Sequence, residues 1–180
     1  MSKYEKLSQK ALYRQPKYLC GPSCMLAARD YLKNCYASEP GAFQAAVVDI
    51  AQHLESQKLS NPVTVPELLV VAKMIGLSAK SDDLQEDAIR ALRPVLTVVK
   101  IAWRSYGPIM RLARKYGDFD SEEEHYVLVI GKEGGRCVLW EPAFSGEGQS
   151  PWLELTWPEL QEGNRLLRLP EESGKAIFLL

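Results

Sequence analysis

The chain has 180 residues, enough to bury one core of ordinary size, and a single domain spanning 1–180 is expected. It is 46% hydrophobic and 25% charged with a net charge of -1, an ordinary globular composition that sets aside nucleic acid and anionic membranes as partners. No apolar run reaches membrane-spanning length, and Met1 to Lys6 lack the apolar core of a secretory signal. The expected compartment is therefore the cytoplasm, without membrane insertion, although export by a signal-independent machine would leave the same sequence.

The four cysteines, Cys20, Cys24, Cys35 and Cys137, are not a disulfide framework in a chain of this length. A C-x3-C spacing with two distant histidines is a poor zinc pattern, so neither a metal nor another cofactor is expected. Cys24, Cys35 and Cys137 read as small buried hydrophobes.

Residues 1–19 are polar and aromatic, with Pro16 fixing an extended approach. Gln15 lies five positions before Cys20, where its amide can curl back beside the thiol or simply face solvent. A helix is predicted from about Cys20 to Cys35. Gly21 lets the chain turn and keeps space open by the thiol, and Pro22 fits a first helical turn. Met25, Leu26, Ala28 and Leu32 supply an apolar face. Cys20 thus stands at the positive end of a helix dipole, which favours the thiolate, the nucleophilic form.

A second helix is predicted over 42–57, with Phe43, Val47, Ile50, Ala51 and Leu54 inward and His53 structural or at the surface. Asn61-Pro62 breaks the chain. A third helix follows, with Thr64 as N-cap, Glu67 three residues on, Leu68, Leu69, Val71, Ala72 and Ile75 buried, and Gly76 as its stop. Ser78 to Ser81 reads as a short strand, and Asp83 to Leu92 as a short helix. Val95 to Ile101 is a strand by its β-branched, apolar run.

The segment from Trp103 to Tyr116 is basic and aromatic, with a short helix expected from Pro108. It reads either as a protein-partner surface or as an insertion with a solvated basic face. The acidic run Asp118 to Glu124 can pair with it. His125 to Gly131 is a second strand, turned by Glu133-Gly134-Gly135 into Cys137 to Trp140. Trp152 to Thr156 is a strand, Trp157 to Leu160 a helical turn, and Ala176 to Leu180 a closing strand. Helices first and an antiparallel sheet afterwards make an α+β domain with one helix packed on the sheet.

A cysteine therefore opens a buried helix, a histidine opens a strand, and Glu141 ends that strand's hairpin partner. Cysteine-based acyl transfer needs this set: a thiolate, an imidazole to hold the ion pair and move the proton, and an oxygen ligand to orient the imidazole. The Cys20 backbone N–H and the Gln15 amide are the candidate oxyanion donors.

Cys20-Gly21-Pro22-Ser23-Cys24, with Gln15 upstream, resembles the nucleophile motif of the papain-like bacteriocin-processing peptidases, the double-glycine leader peptidases. Val63 to Lys80 is similar to that family's third helix and short strand. His125 to Gly131 resembles its histidine strand, Trp140-Glu141-Pro142-Ala143 its acidic turn and Leu155 to Leu160 its closing segment. The resemblance implies a papain-like fold and a cysteine peptidase acting on a peptide or protein, with Cys20 as nucleophile, His125 as base and acid, Glu141 as orienter and Gln15 as oxyanion donor. It covers most of the chain except residues 102–124, which read as an insertion. Three features depart from the family: Glu141 replaces the usual aspartate, Gln15 is about one residue closer to the cysteine, and no transporter portion is present. Other papain-like folds transfer acyl groups or remove amides, some are inactive binding modules, and an exported effector can use the same residues.

Overall fold

The computed structural model describes residues 7, 13, 19–57, 64–87, 96–102, 124–142, 152–167 and 169–179. Three helices come first: α1 (Cys20–Lys33), α2 (Ala42–Ser56) and α3 (Val65–Met74). β1 (Ala79–Asp83), β2 (Thr97–Ala102), β3 (Glu124–Glu133), β4 (Arg136–Trp140) and β5 (Trp152–Thr156) follow, then α4 (Trp157–Arg165) and β6 (Lys175–Leu179). The six strands form one sheet in the order β1-β6-β2-β3-β4-β5, with every neighbouring pair antiparallel. The α+β class expected from the order of elements is the one observed.

The strand pleat divides the core into two. Leu96, Val98, Tyr126, Leu128 and Ile130 face α1, α2 and α3, while Val99, Ile101, Val127, Val129 and Leu139 face Leu160 of α4. Helices thus cover both faces, where the sequence suggested one. Trp157 onward forms a nine-residue helix rather than a single turn. Its start is fixed by Thr156 and Glu159, each bonding the other's backbone N–H, with Pro158 in the first turn.

Other corrections are local. Leu32 is 41% exposed and does not belong to the buried face of α1, because that face is already filled by Cys24, Met25, Ala27, Ala28 and Tyr31. Cys35 is exposed rather than buried, since α1 ends at Lys33 and Asn34 turns the chain out in a left-handed conformation. Asp83 closes strand β1 rather than opening a helix, and most of the expected helix beyond it lies outside the described residues. His53 lies on the exposed face of α2 beside Gln57. The basic, aromatic segment 103–116 and most of the acidic run also lie outside the described residues. Glu124, the last of that run, pairs with Lys100 of β2 and not with the basic segment.

Lys100 is the one cation on the helix-facing side of β2, and only 3% of its side chain is exposed. Its ammonium meets Glu124 at 2.9 Å and Glu172 at 2.6 Å, and lies 5.6 Å from the centre of the Tyr126 ring. The other carboxylate oxygen of Glu172 accepts the Val65 N–H at 2.8 Å, at the first turn of α3. One lysine thereby ties β2, β3, the turn before β6 and the start of α3 together. Burial opposes its charge, but the two carboxylates outweigh it and raise its pKa above that of a free lysine. Lys100→Met should therefore deprive the buried Glu172 and the partly buried Glu124 of their cation and cost about 3–5 kcal/mol. The expected result is a lower urea midpoint with an unchanged slope; a midpoint within experimental error of the wild type would show that the cluster contributes nothing.

Candidate active site

The N-cap residue of α1, Leu19, makes no side-chain cap bond, and no acidic residue lies in the first turn of the helix. α3 and α4, by contrast, each fill their first turn with a glutamate of their own, Glu67 and Glu159. The residue at the first position of α1, at the positive end of its dipole, is Cys20.

Gly21 has a different task from the one the sequence suggested. Its backbone is helical and not at positive φ, and the space beside it is filled. A Cβ there would lie 3.0 Å from Leu68 Cδ2 and 3.1 Å from Tyr126 Cδ2. Glycine lets α1 press against β3 and α3, which brings Cys20 to the start of the histidine strand.

The hairpin supplies the rest. Gly134 and Gly135 both adopt positive φ, 54° and 83°, as a tight turn matched to strand twist requires. The register that follows pairs Leu128 with Trp140. One residue on, just past the end of β4, Glu141 reaches His125 at the start of β3. His125 Nε2 and Glu141 Oε1 are 2.5 Å apart, with the glutamate fully buried and the histidine nearly so. Trp140 anchors this end of β4: its indole N–H donates to the Leu7 carbonyl at 3.2 Å, and its ring meets Phe43 edge-on, with Tyr13 beyond.

Cys20, partly buried, is hydrogen-bonded to the His125 side chain and receives the Tyr126 backbone N–H. With Nε2 turned to Glu141, Nδ1 is the ring nitrogen left for the thiol. Burial pushes the Cys20 pKa up, but the His125 charge and hydrogen bond and the Tyr126 N–H prevail, and the thiol lies below its ordinary range. Burial likewise opposes a charged His125, yet Glu141 and Cys20 raise its pKa to about 10. The two shifts run in opposite directions, and both favour the thiolate–imidazolium form. Cys20, His125 and Glu141 are thus adjacent in that order. Gln15 lies outside the described residues.

Two contacts near these residues went unnoticed in the sequence. Cys24, buried as expected, also donates its thiol to the Tyr126 carbonyl at 3.4 Å. The Lys100 cluster reaches Glu124, the residue before His125. A charged residue in an otherwise apolar strand was the available signal for the second; for the first there was none beyond the one-turn spacing of the cysteines.

No protein-family model matches the chain, and no curated protein sequence matches it. Solved structures do. The peptidase domain of ComA from Streptococcus, a bifunctional ABC transporter involved in a quorum-sensing pathway, superposes with a TM-score of 0.55 at 15% identity, over 95% of this chain and 98% of that one. A double-glycine-motif protease from an AMS/PCAT transporter, solved with its leader peptide, gives 0.52 at 15% identity over 93% and 89%. A Bacillus anthracis protein described as a C39-like peptidase gives 0.54 at 12% identity over 96% of both. This chain has the fold of the double-glycine, C39-type peptidase domains, the papain-like architecture that its motifs resemble.

Proposed function

We propose that this protein is a cysteine peptidase that cleaves a peptide or amide bond through an acyl-enzyme, with Cys20 as nucleophile, His125 as acid and base, and Glu141 as the group that orients the imidazole. The observation that carries the reading is the hydrogen-bonded line from Cys20 through His125 to Glu141 at the N-terminal end of α1. The C39-type fold supports it, and the leader-bound relative favours a peptide substrate.

In the first step the Cys20 thiolate adds to the scissile carbonyl carbon. Negative charge gathers on the carbonyl oxygen, toward the Cys20 N–H at the first helical position and the Gln15 amide as proposed donors. The His125 imidazolium then gives its proton to the leaving amine as the C–N bond breaks. In the second step the neutral imidazole takes a proton from water, the hydroxide adds to the thioester, and Cys20 departs as thiolate. Glu141 keeps the ring in place throughout and stabilises its charged form. Neither step calls for a cofactor.

A peptide carrying a double-glycine motif is the first substrate to offer. Cys20→Ala should abolish cleavage, and His125→Ala should lower kcat/KM by at least about a hundredfold. Glu141→Gln, which keeps a hydrogen-bonding oxygen but loses the charge, should cost less than His125→Ala. Full activity of Cys20→Ala on a cleaved substrate would sink the assignment, and the reverse ranking of the other two would mean that the roles within the hairpin are misassigned.

The pH dependence follows from the opposed shifts. Alkylation of Cys20 by iodoacetamide, resolved by mass spectrometry, should already be rapid well below pH 8, near the ordinary thiol range. In His125→Ala the charge and hydrogen bond of the imidazole are gone, and burial, the largest influence on Cys20, acts with the Glu141 charge to raise its pKa against the Tyr126 N–H alone. Its profile should move upward past that of a free thiol. An ordinary thiol profile that the mutation leaves unchanged would favour a binding module built on this fold.

A further inference from the structure

We propose that Cys24 is a positioning residue: its thiol clamps the Tyr126 peptide and thereby holds the His125 strand at the right distance from Cys20. The inference rests on the peptidase reading above and extends it to a residue with no part in the bond-making steps.

The argument starts at the end of β4. That strand reaches only to Trp140, whose partner on β3 is Leu128. Tyr126 lies beyond the β3–β4 pairs among the described residues, and it pairs with Lys100 of β2. Both of its main-chain groups meet α1. The Tyr126 N–H donates to the Cys20 sulfur, and the Tyr126 carbonyl accepts the Cys24 thiol at 3.4 Å. Two cysteines one helical turn apart thus hold the two main-chain groups of Tyr126.

The consequence is mechanical. His125 is bonded directly to Tyr126, so fixing the Tyr126 peptide fixes where the imidazole stands relative to the helix. The Gly21 contact with the Tyr126 ring limits how closely helix and strand approach, and the Cys24 bond opposes their sliding past one another. Cys24 suits this work because it stays protonated. Burial chiefly, with the charges of Cys20 and Glu141, raises its pKa well above the ordinary thiol value, so it remains a donor while Cys20 is a thiolate. The groups that bear on Cys20 are then His125 and Tyr126 from β3, Glu141 from the end of β4, and Cys24 from its own helix.

Alanine and serine at position 24 have nearly the same volume, and only serine keeps a donor for the Tyr126 carbonyl. The test is the pH profile of Cys20 alkylation in the full chain for wild type, C24A and C24S, with thermal melting alongside. C24A should displace the profile upward and slow labelling at neutral pH by about three- to tenfold, the range set by one lost hydrogen bond. C24S should recover most of that loss, although both variants melt lower than the wild type. Should C24A fail to fold, C24V, which fills the site without a donor, takes its place. A profile in C24A equal to the wild type, with only the melting temperature lowered, would reduce Cys24 to a packing residue and overturn the proposal. Equal displacement in C24A and C24S would assign the effect to volume and overturn it as well. An ordinary thiol profile in the wild type itself would remove the peptidase reading along with this one, whereas a depressed wild-type profile that C24A leaves untouched removes this one alone.

Discussion

Burial works against charge at both Cys20 and His125, and each favours the charged form of the other. The imidazolium lowers the thiol's pKa, and the thiolate, together with Glu141, raises that of the imidazole. Neither group alone favours its ionised form in such surroundings, because desolvation is the largest single influence on both. The pair therefore depends on distance and on exclusion of water, and both depend on the way α1 meets the hairpin. This is the constraint around which the fold is arranged.

Three features of the architecture serve that constraint. α1 has no acidic residue in its first turn, whereas α3 and α4 carry a glutamate in theirs. Gly21 permits the close seat of α1 on Tyr126, and the Lys100 cluster fixes Tyr126 and Glu124 from the other side of β3. The stretch Glu124-His125-Tyr126 is thereby gripped by a buried cation, by a carboxylate and by two cysteines. A histidine so enclosed has little freedom to leave the thiol, and a reaction in which one imidazole gives up a proton and then takes another from water benefits from that restriction.

The proximity of His125 and Glu141 was legible in the sequence because local chemistry determines it. Two glycines in succession between apolar runs demand a tight turn, and a tight turn sets the register that brings strand start and strand end together. The nature of the α1 terminus was legible for a similar reason, since an apolar helical repeat opening on Cys-Gly-Pro leaves few alternatives. Gly21 was misread because permissiveness at a turn and close approach of two backbones leave the same letter. The helix on the second sheet face was shortened because Trp157 to Arg165 is mostly polar; the Thr-x-x-Glu start at Thr156 was the better guide. Leu32 and Cys35 depended on where α1 stops, and Asn34 decides that by a left-handed turn that apolar periodicity does not report. The Lys100 cluster joins residues from three distant parts of the chain, so only the folded arrangement brings it into view.

The central claim is that Cys20 exists as a thiolate paired with an imidazolium. The most direct measurement is the ultraviolet absorbance of the thiolate as a function of pH, taken as the difference between wild type and Cys20→Ser so that Cys24, Cys35 and Cys137 cancel. The expected difference curve shows one thiolate already present below the ordinary thiol range, with a second inflection near pH 10 as His125 loses its proton. A single transition at or above the ordinary value for a free cysteine would contradict the ion pair, and with it the mechanism.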